Sequence, residues 1–102
     1  MISLHVKKTQ TNLEKIVGLI GKKQPYPLFL ETRFGIHTFG VCFPIDVIIL
    51  DKKFHVRDLY VSMKPNRIFL WNPLYPYVIE LPEGTIAAKK IKKGEMIKIV
   101  VE

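Results

Sequence analysis

Cysteine is almost missing from this chain. Cys42 is the single one, which excludes an internal disulfide framework and a cysteine-rich zinc ribbon. Long apolar runs are missing too: none approaches the roughly 20 residues that a membrane-spanning helix needs. The start, Met-Ile-Ser-Leu-His-Val-Lys-Lys, has no extended apolar core and no small-residue cleavage site, so it does not read as a secretory leader. Together these features predict a cytoplasmic protein with no membrane partner. Gly-rich phosphate loops, a Walker motif and a Gly-x-Ser-x-Gly elbow are absent, which leaves those nucleotide and acyl chemistries without a carrier. Acidic residues are sparse, 9 Asp and Glu against 16 Lys and Arg, for a formal net charge of +7.

A basic chain attracts polyanions without specific chemistry. Here the lysines come mostly in pairs, Lys7-Lys8, Lys22-Lys23 and Lys52-Lys53, placed where turns are expected. Only Lys89-Lys90-Ile91-Lys92-Lys93 is dense enough to form a patch. Solvated turn lysines explain that distribution better than a nucleic-acid surface, so nucleic acid is a partner to keep in view but not the favoured one. Hydrophobic residues make up 48% and charged residues 25%, a globular profile, and 102 residues suit a single domain spanning 1–102.

Ile2, Leu4 and Val6 alternate with polar residues and predict a first strand. Thr11-Asn-Leu-Glu14 is a capping box, and Leu13, Ile16, Val17 and Ile20 follow on one helical face, so the spacing predicts a helix over about 11–20. Leu28 to Phe34 and Ile36 to Phe39 read as strands. Ile45 to Leu50 is a continuous, β-branched apolar run, the pattern of a strand buried on both faces. Asp51-Lys-Lys53 turns the chain back into Phe54 to Val61, making a hairpin. The apolar phase slips along that second strand, which predicts a β-bulge near Arg57-Asp58. Ile68 to Trp71, Tyr77 to Leu81 and Met96 to Val101 complete the strands, with turns at Leu81-Pro-Glu-Gly84 and Lys93-Gly-Glu95. The fold class is therefore mainly β: a compact sandwich or barrel of short, mostly antiparallel strands, with one N-terminal helix packed on it.

Asp46 is the residue that asks for chemistry. It lies inside the apolar run, where a carboxylate is costly to bury unless something bonds it. It either braces the fold through backbone N–H groups or contacts a ligand, and its surroundings decide which. Arg33, Arg57 and Arg67 are the candidate charge partners. A ligand site, if there is one, would be lined by Asp46, His37 and Arg33 and would take an unidentified small molecule. His37 with Asp46 could act as an acid–base pair in a hydrolase, and His37 with Cys42 as a thiol dyad. Neither set shows the third orienting group, so a binding or accessory module is favoured over an enzyme, with no catalytic residue assigned. The histidines lack the short paired spacings of strong metal sites, and no metal or cofactor is expected. Glu80 reads as a polar residue on the solvent face of its strand. If it faced Asp46 instead, the two carboxylates would repel and one pKa would rise. Phe69, Trp71, Tyr75 and Tyr77 read as core aromatics, with a stacking platform as the rival.

Several of these segments resemble, in order, the bacterial and archaeal family called domain of unknown function 192. The run Ile36-His-Thr-Phe-Gly-Val41, Cys42-Phe43, Pro44-Ile-Asp46 and Val47 to Asp51 is similar to that family's signature of Phe-Trp-Met-Lys-Asn-Thr, Pro-Leu-Asp and an apolar strand ending in Leu-Asp. The His-Thr-Phe-Gly version looks like its archaeal branch. Glu14 with Gly18-Leu19, Lys64-Pro65, Glu80-Leu-Pro-Glu-Gly84 and Lys93-Gly-Glu95 are similar to further family segments. The resemblance implies a compact mainly-β domain with no established activity. His37, Phe39 and Gly40 replace the family's Trp, Lys and Asn, so chemistry needing those groups does not carry over. Oligomeric state is not legible in either reading.

Overall fold

The computed structural model describes residues 2–8, 27–31, 36–37, 44–64, 68–69 and 74–102. Its elements are β1 (Ile2–Lys8), β2 (Leu28–Glu31), β3 (Ile36–His37), β4 (Ile45–Leu50), β5 (Val56–Met63), β6 (Ile68–Phe69), β7 (Tyr77–Pro82), α1 (Thr85–Lys89) and β8 (Ile97–Val101). Six strands form one sheet in the order β5-β4-β7-β2-β1-β8, and β3 pairs with β6 separately. β4 with β5, β4 with β7 and β2 with β7 are antiparallel, whereas β1 runs parallel to both β2 and β8. The helix expected over 11–20 lies outside the described residues.

β4 lies inside the sheet, between β5 and β7, and its sequence can be dry on both sides. Ile45, Val47, Ile48, Ile49 and Leu50 are all fully buried, and each contributes about 2 kcal/mol of hydrophobic stabilisation. Alternate residues feed opposite faces. Ile48 and Leu50 pack with Leu4, Val6, Ile79 and Ile97, whereas Ile45, Val47 and Ile49 pack with Leu28, Leu30 and Val78.

The first strand follows its alternation: Leu4 and Val6 are buried, and Ser3 and His5 face out. The hairpin forms as the pattern predicts. Leu50 pairs with Val56 and Ile49 with Asp58, leaving Arg57 as the extra residue of a bulge. A second bulge falls between the pairs Val47–Tyr60 and Ile45–Met63, where Ser62 has φ 55°.

A closed barrel, one of the two expected forms, is not what the described strands make. The outer strands β5 and β8 meet only through an isolated bridge, His55 to Met96, beside which Val56 N donates to Glu95 O. Past Ile97, whose N–H donates to Phe54 O, the edge of β8 runs on without a partner among the described residues, so the sheet stays open.

The hairpin turn is held by Asp51. Its Oδ1 accepts from Lys53 N at 2.9 Å and His55 N at 3.0 Å, and its Oδ2 from Arg57 Nε at 2.8 Å. Burial alone would raise its pKa, but the backbone bonds from His55 and Lys53 and the Arg57 guanidinium outweigh that and hold it low. Asp51→Ala should cost about 2 kcal/mol in urea unfolding, mostly from the backbone bonds, because the Arg57 side chain is half in water. A depressed carboxyl stabilises the fold above its unfolded pKa. The native chain's advantage over the variant should therefore vanish as the pH falls below the ordinary carboxylate range.

α1 has only five residues, and no local side chain caps its N-terminus. Gly84 occupies the N-cap position with φ 91°, a backbone that glycine adopts without strain. Ile86 and, just beyond the helix, Ile91 are buried in the same core cluster as Ile48 and Leu81. They are five apart, which is not a helical repeat, so the periodicity gave no notice of the helix.

Candidate functional site

Two carboxylates are buried among the described residues, Asp46 at 0% exposure and Glu80 at 5%. They sit on adjacent central strands but on opposite faces of the sheet. Asp46 is in phase with Ile48 and Leu50. Glu80 is in phase with Val78 and pairs with Val47 on one side and Leu28 on the other, all members of the second core cluster.

Asp46 is saturated by main chain. Oδ1 accepts from Ser62 N at 3.0 Å, and Oδ2 accepts from Ile86 N at 2.9 Å. The first bond fastens the second bulge of β5. The second caps the start of α1 from a strand forty residues earlier in the chain, supplying the acceptor that Gly84 lacks. Of its candidate charge partners, Arg57 is engaged with Asp51 instead, and Arg33 and Arg67 lie outside the described residues. His37 is placed in β3 opposite Ile68 by its backbone. The structure thus brings Asp46 to Ser62 and Ile86 and gives it no open face. An acid–base role would require it to release one of two amides, one partly and one fully buried.

Glu80 is the opposite case. No described residue donates a hydrogen bond to its carboxyl, and its cross-strand neighbours are aliphatic. Burial pushes its pKa up to about 7. The cause is removal of water, not repulsion by Asp46, which lies beyond the sheet. Sequence reasoning set Glu80 on the solvent face, and the structure reverses that. The signal was nevertheless present: Glu80 interrupts Tyr77-Val-Ile-Glu-Leu81 just as Asp46 interrupts its own apolar run.

The remaining candidates are dispersed. Cys42 lies outside the described residues. Exposed His5 pairs with Glu102 at 3.0 Å, and His55 lies 3.7 Å from Asp51. Among the described residues no three His, Cys, Asp or Glu side chains converge to hold a metal ion. Lys89, Lys90, Lys92 and Lys93 are exposed around buried Ile91, and Lys93 is 3.6 Å from Asp58. Tyr77 stacks between Phe29 and Phe54, at 5.3 and 5.0 Å between ring centroids, while Tyr75 lies under the Arg57 guanidinium. No described helix is long and apolar enough to cross a membrane.

Residues 2–99 match the family model DUF192, described as Uncharacterized ACR. A UPF0127 protein of Pyrococcus horikoshii is 36% identical over 99 residues, covering 91% of this chain and 85% of the relative. A UPF0127 protein of Pyrococcus furiosus is 30% identical over 103 residues, covering 95% and 88%. Among solved structures, a protein of unknown function from Novosphingobium aromaticivorans superposes with a TM-score of 0.74 at 17% identity, over 90% of this chain and 70% of its own. A structure from Sinorhizobium meliloti gives a TM-score of 0.77 at 16% identity, over 87% and 76%. At that identity the two structures speak for the fold alone.

Proposed function

The chain belongs to the DUF192 family, and from that premise we propose that it is a small-ligand binding module in which Glu80 meets the ligand. One contrast carries the reading. Among the described residues the fold holds two buried carboxylates and bonds both oxygens of one of them to backbone amides. The other it leaves without a donor among the described residues, in an aliphatic setting, at a cost of several kcal/mol when ionised. A group maintained at that cost gains most from a molecule that brings the missing donor. The ligand class is a small amine or other hydrogen-bond donor on an apolar body, matched to the aliphatic face of Leu28, Val47 and Val78. In this reading Asp46 is a positioning residue that touches only backbone, and His37 and Arg33 are further proposed contacts. A cytoplasmic setting belongs to the same proposal, supported by the lone cysteine. Nucleic-acid binding through Lys89 to Lys93 has less behind it, because Lys93 already faces Asp58.

The test uses n-butylammonium chloride at pH 8. It should raise the Tm of the native chain and shift the methyl signals of Leu28, Val47 and Val78, whereas n-butanol should do neither. Glu80→Gln should abolish the response. Equal effects of the alcohol, or an undiminished response in the variant, would overturn the assignment.

A further inference from the structure

β8 ends the sheet order, so one of its sides pairs with β1 and the other is an edge. Among the described residues only the beginning of that edge is used: Met96 bridges His55, and Ile97 N donates to Phe54 O at 2.9 Å. On the opposite side Glu102 N donates to Val6 O at 2.9 Å. Main-chain groups alternate sides along a strand. Ile99 and Val101, in phase with Ile97, therefore aim their N–H and C=O groups outward, and no described strand receives them.

A pocket of about 430 Å³ lies along this edge. Phe29 and Ile97 form its buried lining, and Phe54 its half-buried wall. Met96 and Val101 also line it, 42% and 55% exposed, two of the few large apolar side chains that the described residues leave in water. Phe54 has φ 64°, a strained backbone for an aromatic residue, and its ring is held by stacking on Tyr77. Both charged side chains in the lining are lysines, Lys53 and Lys98, while Glu102 is turned to His5.

We propose that the free edge of β8 binds an extended peptide carrying apolar and acidic residues, which joins the sheet as a seventh strand. Outward main-chain groups supply the pairing, the pocket takes an apolar side chain, and the lysines select for acidic flanks. A second copy of this chain is a poor occupant, because its edge would set the same lysines against each other. A small organic anion would fill the pocket but leave Ile99 and Val101 unpaired.

The test follows amide hydrogen exchange on the whole chain with two peptides, acetyl-Glu-Val-Thr-Val-Glu-amide and its counterpart with lysine in place of glutamate. The acidic peptide should slow exchange at Ile99 and Val101 about tenfold or more. The double variant Lys53→Glu with Lys98→Glu, at exposed positions that leave the core intact, should bind it about tenfold more weakly. Three results would overturn the proposal: equal binding of the lysine peptide, binding without protection at Ile99 and Val101, or protection that grows with protein concentration alone.

Discussion

Asp46→Ala should destabilise the protein by about 4 kcal/mol, measured as a shift in the urea midpoint. The loss has an identifiable source. Removing the carboxylate strands the N–H groups of Ser62 and Ile86, one partly and one fully buried, and each costs about 1–3 kcal/mol in addition to the charge-assisted bond it loses. For a domain whose total stability is of order 5–15 kcal/mol, that is a large fraction. Asp46→Asn should be little better. Asparagine keeps one acceptor, but its amide nitrogen then faces an N–H, donor against donor. A cost under about 1 kcal/mol for the alanine variant would refute the bracing role of Asp46, since that role entails losing both the bulge anchor and the helix cap.

Glu80→Gln should move stability the other way, and only at neutral to alkaline pH. Burial raises the Glu80 pKa from 4.5 to about 7 in the folded chain, so the folded state holds the proton more tightly than the unfolded one. The Glu80 contribution to stability is fully present below about pH 4.5 and is lost progressively as the pH rises through 7, by about 3 kcal/mol. Glutamine does not titrate. The variant should match the native chain near pH 4 and exceed it by about 3 kcal/mol at pH 8. Parallel stability–pH curves for the two proteins would contradict this. A stabilising substitution at a residue that the native protein retains is also the signature expected of a site kept for binding.

The sequence made the strands legible wherever one residue's environment depended on its immediate neighbours. Alternation marked β1, the unbroken β-branched run marked β4, and the phase slip after Phe54 placed the bulge at Arg57. It also marked Asp46 as a charge needing compensation. What it could not show was the compensating partner, because Ser62 and Ile86 reach Asp46 through tertiary folding from distant positions and with main-chain atoms that every residue carries. α1 was invisible for the same reason: its acceptor comes from β4, and its anchors Ile86 and Ile91 do not follow a helical period. Glu80 was misplaced because a single acidic residue in a strand most often faces water. The apolar run around it was a hint, and the neighbours Leu28 and Val47, brought by two other strands, cover this face.

The parallel pairing of β1 with β8 bears on how the molecule is made. Ile2 registers with Ile97 and Val6 with Val101, so β1 must wait for a partner synthesised 95 residues later. Until then Leu4 and Val6 lack Ile97, one member of the cluster that buries them, and closing so long a loop is slow. Nascent chains stalled before Ile97 should therefore be protease-sensitive and bind chaperones, with resistance appearing only once β8 has emerged.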